Sequence, residues 1–135
     1  MYRGNIALAD GLSLRPAHDS DQAFLESFKY GTKAKPANTF FLIVEKEGER
    51  IGRAIIEQTP DEVRIKDISF IPVAKRKGYI TNVLHALQHV ARAMKIPLIL
   101  IVNRTNTPAK ALYSNLGFQA EQGTTGTELM TWRPT

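Results

Sequence analysis

Between Glu62 and Asn103 the spacing of apolar residues changes twice, and that double change limits the architectures open to the chain. "EVRIKDISF" (Glu62–Phe70) carries the two-residue alternation of a strand. From Ile80 the residues Ile80, Val83, Leu84, Leu87, Val90, Ala91 and Met94 recur in steps of three and four, predicting a long helix with one buried stripe. "IPLILIVN" then runs apolar almost without interruption, as a strand covered on both faces does. Strand, helix and strand in that order predict a right-handed parallel crossover.

The flanking segments extend this unit into a sheet. "LSLRPA" (Leu12–Ala17) reads as a first strand ending at Pro16, and "DSDQAFLESFKY" as a helix with Asp19 as cap and Gln22 as its capping-box partner. "TFFLIVEKE" and "RIGRAIIEQ" precede "EVRIKDISF", with Glu47-Gly48-Glu49 and Thr59-Pro60-Asp61 as the turns of an antiparallel meander. In the third of these strands simple alternation groups Val63, Ile65, Asp67 and Ser69 against Arg64, Lys66, Ile68 and Phe70, and neither face is cleanly apolar. "NTPAKALYSNLGF" predicts a helix capped by Asn106, with Pro108 in its first turn, a stripe of Ala109, Leu112, Tyr113 and Leu116, and Gly117 as the stop. "FQAEQ" and "TELMTWRP" close the chain as strands around a "GTTG" turn. The fold class expected is α/β of the mixed kind: a mostly antiparallel sheet of about seven strands, helices on both faces, and one parallel β-α-β crossover.

The 135 residues suit one domain spanning 1–135. There are no cysteines, which removes disulfides, thiolate metal sites and a thiol nucleophile. No apolar run approaches the roughly 18–20 residues that span a bilayer, and the start lacks a secretory pattern, so a cytoplasmic protein with no membrane partner is expected. The net charge of +5 favours anionic partners. A nucleic-acid binder is one such reading, but the aromatics are not clustered with the cations and no nucleic-acid motif is present.

The charge is locally dense in "VAKRKGYI" (Val73–Ile80), where Lys75, Arg76 and Lys77 meet Gly78 at the mouth of the long helix. A helix start leaves N–H groups unpaired and carries partial positive charge, so cations there call for an anion. Such a constellation would seat a pyrophosphate. A solvated basic loop is the competing reading, and neither a Walker loop nor the three-glycine dinucleotide pattern is present.

Strand, basic Gly loop, long helix, buried strand and then "N-x-x-A-x-x-x-Y-x-x-x-G-F" form an order that resembles the GNAT family of acyl-CoA-dependent N-acyltransferases, over Leu12–Trp132 and most closely over Ile65–Phe118. The family's Gln/Arg-x-x-Gly-x-Gly/Ala loop corresponds to Lys75–Ile80, with Lys75 for Gln/Arg and Ile80 for Gly/Ala. Lys75 keeps the charge without the bidentate geometry. Ile80 either crowds the pyrophosphate or points at the sheet with the rest of its stripe.

The resemblance implies acetyl-CoA as co-substrate, no metal, and transfer of its acetyl group to a primary amine by direct attack. It implies diphosphate binding by Lys75, Arg76, Lys77, Gly78 and the N–H groups of Tyr79 and Ile80. Phe70 and Ile71 would lie where the pantetheine enters, with a backbone N–H near Phe70 stabilising the oxyanion. Asn106, Ala109, Lys110 and Tyr113 would complete the cofactor site, with Arg104 or Lys110 near enough in sequence for the 3′-phosphate. Tyr113 would protonate the leaving thiolate, since a phenol near ~10 holds its proton against a thiol near ~8.5. Asp67 is the candidate base, with a structural carboxylate as the other reading. A catalytically weak or inactive acyl-CoA sensor on the same fold is the alternative function.

His85 and His89 lie one turn apart on the polar side of the long helix, and a solvated face explains them more simply than a metal. Phe40, Phe41 and Trp132 read as core, and Lys29, Lys33 and Lys35 as surface charge. In the family the segment between the first two strands helps wall the acceptor site, often with two helices. One helix and a short basic loop around Gly31–Asn38 therefore imply, through the resemblance, a more open acceptor groove compatible with a peptide or protein amine. The acceptor itself is left as a small amine, a peptide or a protein. The last strand has an edge that can pair between two subunits, giving a homodimer.

Overall fold

A computed structural model describes residues 6–28 and 37–134. Among these, eight strands form one mixed sheet: β1 (Ile6–Ala7), β2 (Leu12–Pro16), β3 (Thr39–Lys46), β4 (Glu49–Gln58), β5 (Val63–Phe70), β6 (Leu98–Asn103), β7 (Gln119–Gly123) and β8 (Thr127–Trp132). Their order across the sheet is β1-β2-β3-β4-β5-β6-β8-β7. Every neighbouring pair is antiparallel except β5 and β6, the two ends of the expected crossover. The two-residue β1 is the strand that the sequence pattern did not reveal, being too short to carry a period.

The helices are α1 (Gln22–Glu26), α2 (Tyr79–Met94) and α3 (Thr107–Asn115). In α2 the side chains of Val83, Leu84, Leu87 and Ala91 are fully buried against Leu42, Val44, Ala54, Ile56 and Val63 of the sheet. Burial of Leu84 and Leu87 contributes roughly 1.5–3 kcal/mol each. Ile80, Val90 and Met94 pack on the same core half-buried. His85 and His89 are exposed on the opposite side. Gln88, also buried, donates from Nε2 to the Leu116 carbonyl at 2.9 Å and ties α2 to the end of α3. Trp132 lies in this core and Phe40 packs against it.

The start of α1 differs from expectation. A single 3₁₀ turn, Asp19–Asp21, precedes the helix, and Asp21 rather than Asp19 makes the reciprocal contact. The Asp21 carboxylate accepts from the His18 backbone N–H at 2.8 Å and from Arg15 Nη1 at 2.8 Å and Nη2 at 3.0 Å. Two guanidinium bonds draw the buried carboxylate inward, a tertiary preference that local capping rules do not contain. Lys29, Lys33 and Lys35, and most of the loop read as open, lie outside the described residues.

The face assignment of β5 also needs correction. Lys66 has no partner in the β4–β5 ladder: Ile65 pairs with Ile56, and Asp67 with the adjacent Ile55. This bulge inverts the alternation halfway along the strand. Val63 and Ile65, then Ile68 and Phe70, face α2, whereas Asp67 and Ser69 share the α1 face with Arg53. The mixed polarity of "EVRIKDISF" is therefore that of two clean half-strands joined out of phase.

A cleft between the parallel strands as candidate active site

The β5–β6 ladder is confined to Val63–Ile65 against Leu98–Leu100. It ends at the bulged Lys66, where β5 bends, and the strands part towards their carboxyl ends. A cleft of about 390 Å³ opens there, lined among others by Asp67, Ile68, Ile101, Asn103, Asn106 and Tyr113. It brings together residues from β5, β6 and α3 that the sequence separates by tens of positions.

The backbone edge of the cleft follows from the β4–β5 register. Ile71 N–H donates to the Ile51 carbonyl at 2.8 Å, so the adjacent Phe70–Gly52 pair is of the non-hydrogen-bonded kind. The N–H and C=O of Phe70 therefore point away from β4, and those of Ile68 do the same two residues earlier. β6 is no longer paired on that side. The Phe70 N–H thus faces the side that β6 has left, while the Ile71 N–H is engaged and leaves that residue only its carbonyl. The Phe70 ring covers Gly52: a Cβ built there would lie 2.7 Å from Phe70 Cδ1 and 2.7 Å from the Ser69 carbonyl oxygen. Gly52 is required by that close approach.

Beyond β5 the chain makes a 3₁₀ turn, Pro72–Ala74, and reaches the start of α2. Gly78 is the N-cap at φ 78°, offers no capping side chain, and the first turn of α2 has no acidic residue. The positive φ explains the glycine before any ligand is invoked. Lys75, Arg76 and Lys77 are all exposed around this helix end. Ile80 turns its side chain into the core, the second of the two orientations open from sequence.

On the other wall, Asn106 caps α3 through Oδ1, which accepts from the Ala109 N–H at 3.3 Å. The cap fixes the helix whose next turn carries Tyr113, half-buried with its ring 5.8 Å from Phe118. Burial raises the phenol above its ordinary value of 10.0, so Tyr113 keeps its proton throughout the neutral range. Lys110 Nζ sits 3.1 Å from Glu128 Oε1, and Arg104 Nη1 lies 3.5 Å from the same oxygen. These two cations share a carboxylate, a contact between α3 and β8 that no local pattern announced.

Asp67 is engaged as well. Its Oδ2 accepts from Arg53 Nε at 3.0 Å, and Ser69 Oγ lies 2.9 Å and 2.8 Å from its two oxygens. Arg53 is fully buried, donates from Nη1 to the Leu25 carbonyl of α1 at 2.8 Å, and has its guanidinium carbon 5.0 Å from the Phe28 ring centre. Asp67 therefore balances a buried cation. Sequence reasoning missed Arg53, although its place between Ile51 and Ile55 on "RIGRAIIEQ" put a charge in an apolar alternation. It also missed Ser69, Gly52 and Ile101.

A mixed sheet whose parallel strands part around an open backbone edge, between a helix N-terminus without a side-chain cap and a helix-borne tyrosine, is the architecture of the acyl-CoA N-acyltransferases. The sequence matches the Acetyltransferase (GNAT) family over residues 8–118, and the chain belongs to that family. No curated protein matches it. Among solved structures, the ribosomal-protein-S18-alanine N-acetyltransferase of Escherichia coli superposes with a TM-score of 0.76 at 18% identity, covering 92% of this chain and 94% of that one. A GNAT acetyltransferase of Elizabethkingia anophelis with acetyl-CoA bound gives 0.75 at 14% identity, over 92% and 99% of the two chains. A ribosomal L7/L12 α-N-protein acetyltransferase in complex with coenzyme A gives 0.81 at 13% identity, over 97% and 98%. At these identities the likeness is one of fold. No helix among the described residues is long and apolar enough to cross a membrane.

Proposed function

We propose that the protein is an acetyl-CoA-dependent N-acetyltransferase acting on a primary amine by direct attack. The observation that carries this reading is the parting of β5 and β6 beside a basic, uncapped helix start. The donor set fits acetyl-CoA, which supplies the acetyl group as a thioester. The N–H groups of Tyr79 and Ile80, with Lys75, Arg76, Lys77 and Gly78, would hold the diphosphate at the positive end of α2. The Ile68 and Phe70 backbone would accept the pantetheine arm as a further strand would be accepted, with Asn106 and Ala109 on the α3 wall. Lys110 would contribute by exchanging its Glu128 contact for a phosphate.

In transfer, the amine nitrogen bonds to the thioester carbonyl carbon and the carbon–sulfur bond breaks. The Phe70 N–H would stabilise the oxygen as it gains charge. Tyr113 would give its proton to the leaving sulfur. With no thiol in the chain, a cysteine acyl-enzyme has no place in the scheme. The acceptor proton goes to solvent through the open cleft, and Asp67 serves as partner to Arg53 in place of the base role expected from sequence. This favours an α-amine: near a pKa of ~8 it is about 10% neutral at pH 7, against roughly one lysine side chain in 2,500 at ~10.4.

The engagement of Asp67 also favours one alternative, an acyl-CoA sensor without turnover. Following CoA thiol release over a panel of amines and peptides separates the two. Turnover with at least one amine, reduced about 100-fold or more in Tyr113→Phe, supports the transferase. Acetyl-CoA binding with no turnover on any amine would move the assignment to the sensor.

A further inference from the structure

Ile101 is a second-half residue of β6 and is 54% exposed, one of two large apolar residues so exposed among those described. Register places it. Leu98 and Leu100 pair with Val63 and Ile65 on the α2 face, so Ile99 and Ile101 lie on the opposite, α1 face. Asp67 reaches that same face by way of the Lys66 bulge, and both residues line the cleft. Leu129 stands opposite Ile101 on β8, half-buried on the same face and just outside the cleft lining. Tyr113, by contrast, comes from the α2–α3 side. A thioester held along the Phe70 edge thus has its diphosphate and its acid on one face of the sheet, and on the other the exposed Ile101, a small apolar shelf.

The charge around this shelf is equally specific. Among the described lining residues the one carboxylate is Asp67, already balanced by Arg53, and the one cation is the exposed Lys66. A polycationic acceptor finds no net negative charge here, whereas an apolar side chain finds the exposed Ile101 within an otherwise mainly polar lining.

We infer that Ile101, with Leu129 beside it, selects acceptors by the side chain that bears the reacting amine: peptide amino termini whose first residue is large and apolar. This rests on the transferase reading above. The methyl groups of Ile101 lose water against such a side chain and gain nothing from a serine, and one methylene's worth of such contact is worth about tenfold in discrimination.

The test measures kcat/KM with acetyl-CoA for peptides identical except for Leu, Met or Ser at the first position, with spermidine as a polycation. Wild type should favour Leu or Met over Ser by about tenfold or more. Ile101→Thr should reduce that ratio to about threefold or less, and Ile101→Met should retain it. A flat preference in the wild type, spermidine as the best acceptor, or an unchanged ratio in Ile101→Thr would each overturn the inference while leaving acetyl transfer intact. Absence of turnover on every amine would instead remove the transferase reading, and the inference with it.

Discussion

Replacing Asp67 by Asn separates a catalytic carboxylate from a structural one. The substitution keeps the shape and the capacity to accept from Ser69, but removes the charge that balances Arg53, which is fully buried and 3.0 Å away. Breaking a buried pair from one side costs about 3–5 kcal/mol because a charge is left uncompensated. The Asp67 side chain is 12% exposed, so water softens the loss and the lower end, about 3 kcal/mol, applies. With an unfolding entropy of about 2.1 cal/mol/K per residue, 135 residues give roughly 0.28 kcal/mol/K, so Tm should fall by about 10 °C. A calorimetric melt measures this, and Arg53→Met combined with Asp67→Leu should recover most of it, since an apolar pair of similar volume replaces the ions. If Asp67→Asn instead leaves Tm unchanged while kcat falls more than 100-fold and the acidic limb of the pH profile disappears, the ion-pair argument is wrong and Asp67 is the base.

Three further outcomes follow from the same geometry. Tyr113 acts in its protonated form and its pKa is raised by burial, so kcat should hold to above pH 10 before falling, and Tyr113→Phe should abolish that alkaline limb together with most of the rate. Gly52→Ala introduces a Cβ 2.7 Å from the Ser69 carbonyl and the Phe70 ring; destabilisation by about 1–3 kcal/mol in urea is expected, with a weaker response to acetyl-CoA as the β5 edge shifts. Asp21 has its carboxylate held far below the ordinary range, first by its hydrogen bonds from Arg15. Its stabilising effect is therefore complete above the unfolded pKa of ~3.9 and is lost as pH falls through the acid range towards the folded value. Asp21→Asn should flatten the acid side of the stability curve.

The sequence by itself determined the longer elements and their order, though not the two-residue β1 or the 3₁₀ turn that opens α1. The three- and four-residue steps from Ile80 to Met94 produce the buried stripe of α2 because helical period and one-sided burial are a single constraint. Asn106 capped α3 and Gly78 opened α2, since both conformations are set by neighbouring residues alone. The basic collar was legible as a run of charge, whereas Tyr113 read locally as one more residue of the α3 stripe and was singled out only by the family resemblance. Tertiary structure decided what depends on a partner from elsewhere in the chain. The bulge at Lys66 exists only against β4, and it turned Asp67 to the α1 face, where Arg53 claims its carboxylate. The inward turn of the Phe70 N–H required the Ile71–Ile51 bond, and the sharing of Glu128 by Arg104 and Lys110 required β8 beside α3. Local period reports which side chains must be buried; which strand they meet, and in what register, is an interaction between distant segments that no single window of sequence contains.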